Sequence, residues 1–121
     1  MNQKTNSKAY GNDGEILAVQ FLEREGYQIL QRNFRCKLGE IDIVARSEGY
    51  LCFIEVKRRK NMASGHPFEA ISIHKIKRIC KTALVYLRFH QSPNTTPIRF
   101  DVISIIGEEV SALKDAFSFQ C

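Results

Sequence analysis

Two apolar segments with ionisable residues in their middle constrain the fold of this chain more than any other feature. Residues 40–45 (EIDIVA) and 51–57 (LCFIEVK) are both typical of β-strands. Ser47-Glu48-Gly49-Tyr50 joins them, and the central Glu-Gly pair predicts a two-residue hairpin turn. In the register that follows, Val44 lies opposite Phe53 and Asp42 lies opposite Glu55.

This hairpin would place Glu40, Asp42, Glu55 and Lys57 on one face, because side chains two residues apart point the same way. Opposed side chains have Cβ atoms roughly 5 Å apart, so Asp42 and Glu55 should repel unless a cation binds or a pKa rises. The alternative is an exposed face with ordinary ion pairs, such as Glu40 with Lys57 and Glu55 with Arg46. The apolar neighbours favour a metal site, since acids within apolar strands are costly unless paired or liganded.

Oxygen ligands without histidine or cysteine favour Mg²⁺ or Mn²⁺ over zinc. Asp42, Glu55 and the main-chain carbonyl of Val56 could hold one such ion, with several waters left on it. A divalent ion neutralises charge on a phosphoryl oxygen, and Lys57 beside it could orient a water and stabilise developing negative charge. The chemistry predicted for this cluster is phosphodiester hydrolysis.

The rest of the chain predicts helices and strands of an α/β domain. The expected order is α-β-β-β-α-β with a short terminal helix, over residues 13–25, 27–35, 40–45, 51–57, 72–89, 98–106 and 111–117. Asn12 or Asp13 is the expected cap of the first helix, and Gly26 its end. Residues 1–121 form one predicted domain, with residues 1–10 as a mobile polar terminus.

Charge is unevenly distributed along the 121 residues, which contain 18 Lys and Arg against 13 Asp and Glu. Most of the excess lies between Lys57 and Lys81, and such a basic region favours a polyanionic partner, although a solvated lysine-rich face would have the same composition. The expected nucleic-acid contacts are Arg35, Arg58, Arg59, Lys75, Lys77, Arg78 and Lys81. For Asp101 the expected role is structural, in an ion pair with Arg99 or Arg35.

The composition and the first residues of the sequence limit the protein class and the cellular compartment that we expect. Hydrophobic residues make up 44% and charged residues 26%, which excludes a mainly disordered chain. No apolar run approaches the ~20 residues that a bilayer span needs, so no membrane association is expected. The polar first ten residues lack the apolar core of a secretory signal, which predicts a cytoplasmic protein. A homodimer is compatible with the sequence.

The acidic and basic residues of the predicted hairpin, together with several flanking segments, resemble those of known families. Asp42 followed by Glu55-Val56-Lys57 resembles the PD-(D/E)xK signature of the restriction-endonuclease-like superfamily, with Ile41 where its hallmark proline would stand. The resemblance to the largely uncharacterised bacterial YraN-type family, which is similar in plan to archaeal Holliday-junction resolvases, extends over most of the chain. It rests on the segments GNDGE (11–15), NFR (33–35), GEIDIVA (39–45), FIEVKRR (53–59) and RFDV (99–102).

The resemblance implies a restriction-endonuclease-like fold, in which helices flank a central mixed sheet. It makes Asp42 and Glu55 metal ligands and Lys57 the catalytic lysine. Glu15 matches a first-helix glutamate near the metal, although an acid favoured by the helix dipole is an alternative for it. The predicted function is a Mg²⁺- or Mn²⁺-dependent endonuclease acting on DNA, with branched or otherwise structured DNA as the candidate substrate. The alternative is a non-catalytic nucleic-acid-binding module of the same fold.

Overall fold

The computed structural model describes residues 3–63, 65–66, 68 and 71–120, with side chains from residue 13 onward. The described residues fold into two helices and five strands. These are α1 (Gln3–Arg24), β1 (Gln28–Cys36), β2 (Gly39–Ser47), β3 (Tyr50–Arg59), α2 (Ile73–Phe89), β4 (Ile98–Ile106) and β5 (Glu109–Phe117). The mixed α/β class predicted from the sequence is confirmed.

The five strands form one open sheet in the order β1-β2-β3-β4-β5. Neighbouring strands are antiparallel except β3 and β4, which are parallel. A parallel pair needs a crossover connection, and α2 provides it here. Neither helix, as far as the chain is described, has the length and apolarity to span a membrane.

Alternate residues of the strands build two apolar layers, one on each face of the sheet. Phe53 packs with the α2 residues Ile79 and Tyr86, whereas the next residue, Ile54, packs with the α1 residues Ala18 and Leu22. The two helices therefore cover opposite faces of the sheet. All of these side chains are buried, so β3 is enclosed on both sides, as its apolar sequence predicts.

Helix α1 begins at Gln3, ten residues before the predicted start, so the expected cap at Asn12 or Asp13 was wrong. Residues 3–10, predicted to form a mobile terminus, are helical, and residues 1–2 lie outside the described chain. Gly26 ends the helix as predicted. Its φ of 89° and the bonds from its N–H to Glu23 O and from Tyr27 N–H to Leu22 O form a Schellman motif.

Residues 111–117, predicted as a short terminal helix, instead form most of β5. The strand pairs with β4 from Ile106↔Glu109 to Phe100↔Phe117, with an irregularity near Asp115. Asp115 has a φ of 53°, and its N–H donates to the Asp101 carboxylate at 2.9 Å. Tertiary pairing therefore overrides the helix propensity of this segment, which contains Ala, Leu and Lys.

Asp101 is fully buried and organises a polar network on the α1 side of the sheet. Its carboxylate accepts bonds from Tyr27 Oη at 2.7 Å and from Arg99 Nε and Nη2 at 2.9 Å each. Of the two partners expected for Asp101, Arg99 is therefore the observed one, and the predicted ion pair between them is confirmed. Burial and the bond to Asp101 raise the pKa of Tyr27, which keeps its hydroxyl protonated as a donor.

Both outer strands of the sheet are irregular. In β1 the register shifts between Ile29 and Gln31, and in β5 it shifts opposite the segment from Phe100 to Val102. The backbone N–H and C=O groups along each edge of the sheet are therefore not regularly spaced over the whole strand.

Candidate active site

The turn between β2 and β3 has the predicted register. Glu48 and Gly49 have φ angles of 55° and 83°, the two positive values that a type I′ turn requires. Ser47 pairs with Tyr50, and Val44 pairs with Phe53. The local turn chemistry thus fixes which residues of the two strands lie opposite one another.

The regular pairing of these strands ends at Ile43↔Ile54, one residue before the two predicted ligands. The Asp42 carboxylate reaches across and accepts the backbone N–H of Val56 at 2.7 Å. In an extended strand the N–H and C=O of one residue point to the same side, so the Val56 carbonyl also faces this gap. The sequence predicted that Asp42 pairs directly with Glu55. Instead, the regular pairing stops one residue earlier, and the Asp42 side chain bonds the backbone of Val56.

Glu55 is 6% exposed and interacts with two lysines through one oxygen. Its Oε1 lies 2.7 Å from Lys75 Nζ, at the start of α2, and 3.7 Å from Lys57 Nζ, on its own strand. The ion pair that the sequence suggested between Glu55 and Arg46 is replaced by these two. Glu40, expected to pair with Lys57, instead bonds Arg35 of β1 at 3.0 Å.

Burial and the charge of Glu55 raise the pKa of Asp42 from an ordinary 3.8 to about 7. Glu40 and Glu15 raise it further, and the Val56 N–H opposes them. Burial and the Lys75 ammonium lower the pKa of Lys57. The two carboxylates of the gap therefore carry more negative charge than the site readily accommodates, even with two lysines beside Glu55.

Glu15 lies on α1, and its carboxylate is already bonded to β1. Arg32 Nη2 donates to its Oε2 at 2.9 Å, and Asn33 Nδ2 donates to the same oxygen at 3.1 Å. Asn33 adopts a left-handed φ of 54°, which asparagine tolerates better than most residues. The negative charge of Glu15 contributes to the raised pKa of Asp42. The Glu15 carboxylate itself is held in place by Arg32 and Asn33.

The donor set of the gap fits a hard divalent cation. Asp42 and Glu55 supply carboxylate oxygens, the Val56 carbonyl faces the same side, and Mg²⁺ or Mn²⁺ commonly retains several waters. Among the described residues, no group of three or more His, Cys, Asp and Glu side chains is close enough to hold a metal. A cation held here would therefore depend on two carboxylates, a main-chain oxygen and water.

The seven basic residues predicted to contact nucleic acid do not form one surface. Lys75 and Arg78 line a cleft of about 120 Å³ together with Glu40 and Glu55. A neighbouring cleft of about 240 Å³ adds Arg35 to Arg78.

The remaining basic residues lie elsewhere. Lys77 and Lys81 are exposed on α2, and Arg59 is partly exposed at the end of β3. Arg58 packs on the α1 side, where a Cβ on Gly14 would lie 3.2 Å from its Cδ and where its Nη2 is 3.5 Å from the Gly107 carbonyl. Arg35, Lys75 and Arg78 are thus the predicted residues that the fold brings to the clefts beside Glu55 and Glu40.

Gly39 was not identified by sequence reasoning as a site residue, although it begins the GEID segment. Its φ is 153°, and a Cβ there would lie 2.9 Å from Thr82 Oγ1 of α2. Only glycine therefore allows the start of β2 to approach α2 this closely. Gly39 lines both clefts, so this approach determines their shape.

Comparisons with known proteins identify relatives over nearly the whole chain. Residues 14–105 match the model of the "Uncharacterised protein family UPF0102". A UPF0102 protein of Lachnoclostridium phytofermentans is 52% identical over 93% of this chain and 95% of its own length. Those of Acetivibrio thermocellus (97% of both chains) and Caldicellulosiruptor bescii (93% of this chain, 99% of its own) are 41% and 42% identical.

Proposed function

Since the chain belongs to UPF0102, a family whose description assigns no activity, we propose from its own site that it is a divalent-metal-dependent endonuclease that hydrolyses DNA phosphodiester bonds. The observation that carries the proposal is the charge imbalance at the gap between β2 and β3. Asp42 has a pKa of about 7 next to Glu55, and a bound cation would relieve their repulsion.

Asp42, Glu55 and the Val56 carbonyl would hold Mg²⁺ or Mn²⁺. When bound, such an ion neutralises charge on a phosphoryl oxygen and lowers the pKa of water. The Asp42 carboxylate is oriented by the Val56 N–H, so this ligand is preorganised. Glu15, whose carboxylate is held by Arg32 and Asn33, would act on the site through its charge.

Lys57 is the proposed catalytic lysine. It follows Glu55 by two residues, so it lies on the same side of β3, and its ammonium is 3.7 Å from the Glu55 carboxylate. It is only partly exposed, which strengthens its electrostatic effect on a nearby phosphate. We propose that Lys57 orients the attacking water and stabilises negative charge developing on the phosphate.

The fold supports a place in the restriction-endonuclease-like superfamily. Helices cover both faces of the mixed sheet, and Asp42 and Glu55-Val56-Lys57 lie on adjacent strands where those strands separate. This is the arrangement that the PD-(D/E)xK resemblance implies. Substrate phosphates would enter along the cleft residues Arg35, Lys75 and Arg78.

One observation favours the second candidate, a nucleic-acid-binding module without turnover. Lys57 and Lys75 already surround Glu55, so this carboxylate is compensated without a divalent ion. A chain that only binds DNA would use these lysines for phosphate contacts and would have no need of the Asp42–Glu55 pair. The two candidate functions differ in whether divalent ions and Lys57 are needed for DNA cleavage.

A cleavage screen tests the proposal. Purified protein would be incubated with linear duplex, single-stranded and branched DNA and with RNA, in Mg²⁺, in Mn²⁺ and in a chelator. Asp42→Asn and Lys57→Ala proteins, purified identically, would exclude a contaminating nuclease. Divalent-dependent cleavage that both substitutions abolish supports the endonuclease. DNA binding without cleavage in any condition favours the binding module, and equal cleavage by all three proteins refutes this site.

A further inference from the structure

Lys75 occupies an unusual position for a lysine. Helix α2 begins at Ile73 with Ser72 as its N-cap, so Lys75 is the third helical residue. The N-terminal turn of a helix disfavours cations, and this third position is where a capping box carries Glu or Gln. The backbone N–H of Lys75 nevertheless bonds Ser72 Oγ at 3.2 Å, so the cap is intact. A conflict between helix electrostatics and residue type is expected at functional rather than structural positions.

The contact with Glu55 explains why a lysine stands there. Lys75 Nζ is 2.7 Å from Glu55 Oε1, a full ångström closer than Lys57 Nζ to the same oxygen. Lys75 reaches this oxygen from the helix, across the cleft that it lines with Arg78. It is therefore the principal counter-charge of Glu55 in this structure.

The two lysines differ in how readily they can leave. The Lys75 side chain is 41% exposed, whereas that of Lys57 is 23% exposed and lies on the same strand as Glu55. A divalent ion at Glu55 would be the third positive group around one carboxylate oxygen. The like charges would then repel, and the more exposed lysine on a flexible four-carbon stem would move away.

We propose that Lys75 is an exchangeable counter-cation, which neutralises Glu55 until a divalent ion binds and is then released into the cleft. The inference rests on the proposed function, because it assigns Glu55 as a metal ligand. Lys75 is thus a positioning residue: when the metal ion binds Glu55, the positive charge of Lys75 becomes available in the cleft through which the substrate would enter. Once released, its ammonium would remain in the cleft that Lys75 lines with Arg78, where a DNA phosphate would enter.

Metal titration in the absence of DNA tests this coupling. Mg²⁺ and Mn²⁺ would be titrated calorimetrically into metal-free wild type, Lys75→Gln and Lys75→Met. Both variants should bind the ion about fivefold more tightly, the size expected when a half-exposed ion pair no longer competes. Lys77→Gln is the matched control, because it loses the same charge from an exposed residue about 200° away around the helix. Its affinity should equal that of the wild type.

The outcomes separate the two proposals. Wild-type binding that neither Lys75 variant tightens, or that Lys77→Gln tightens equally, overturns the counter-cation and leaves the endonuclease standing. Absence of binding in every protein overturns the metal site and with it both proposals. Binding by the Lys75 variants alone supports the counter-cation in its strongest form. Two different Lys75 substitutions keep the test valid if one of them fails to fold.

Discussion

Replacing Asp42 by asparagine should stabilise the metal-free protein at alkaline pH. The folded chain holds the pKa of Asp42 at about 7, against 3.8 for an ordinary aspartate, because the group is buried next to Glu55. Between pH 4 and pH 7 the folded chain thus keeps a proton that the unfolded chain has lost. The stability from this proton is fully present below about pH 4 and is lost as the pH rises through about 7.

The size of the effect follows from the shift. About three pKa units at 1.36 kcal/mol each give at most about 4 kcal/mol of lost stability when Asp42 is fully ionised. Asparagine cannot ionise, and its amide oxygen can still accept the Val56 N–H. The stability advantage of Asp42→Asn over the wild type should therefore grow by about 2–3 kcal/mol between pH 5 and pH 8.5.

Urea unfolding followed by circular dichroism at the two pH values measures this difference. Asp13→Asn is the matched control, because it replaces an exposed aspartate of α1 that lies outside the gap between β2 and β3. Magnesium at about ten times its dissociation constant should then add about 1.4 kcal/mol to the wild type at pH 8.5 and much less to Asp42→Asn. An advantage of Asp42→Asn that is the same at both pH values would refute the carboxylate repulsion.

Three further variants probe other parts of the molecule. Lys57→Ala should reduce cleavage by on the order of 10²–10³ while metal and DNA binding survive, as calorimetry and filter binding would show. Simultaneous replacement of Lys77, Arg78 and Lys81 by Ala should weaken DNA binding, and each lost phosphate contact should flatten its salt dependence by about 0.9; an unchanged slope would mean a merely solvated helix face. Gly39→Ala should lower stability by about 1–3 kcal/mol in urea unfolding, because its Cβ meets a side chain of α2 at 2.9 Å and its φ is unfavourable; a neutral effect would contradict the close approach.

Local sequence signals were sufficient wherever a short segment determines its own conformation. Glu48-Gly49 specified the turn, and with it the pairing of Val44 with Phe53, because a two-residue turn leaves one register. The alternating layers of β3 were equally readable from its apolar residues.

Signals failed where a distant partner determines the outcome. β5 is a strand because β4 pairs with it and because Asp101 accepts the Asp115 N–H. No sequence pattern within residues 111–117 predicts either contact. The first turns of α1 contain no apolar periodicity from which their helical state could be read. The pairing of Lys75 with Glu55 depends on where α2 lies over the sheet, and a helical period gives only the face of a helix.

The irregular outer strands have a consequence for how the protein behaves in concentrated solution. An unpaired strand with evenly spaced N–H and C=O groups is a template on which another chain can add a strand, the first step of many aggregates. The shift after Ile29 in β1 and the bulge near Asp115 in β5 interrupt that template at both sides of the sheet. Two copies that associated by extending the sheet would have to accommodate a bulge. The hydrogen bond from Asp115 to the buried Asp101, which stabilises the bulge in β5, thus also disfavours the addition of another chain's strand at this edge of the sheet.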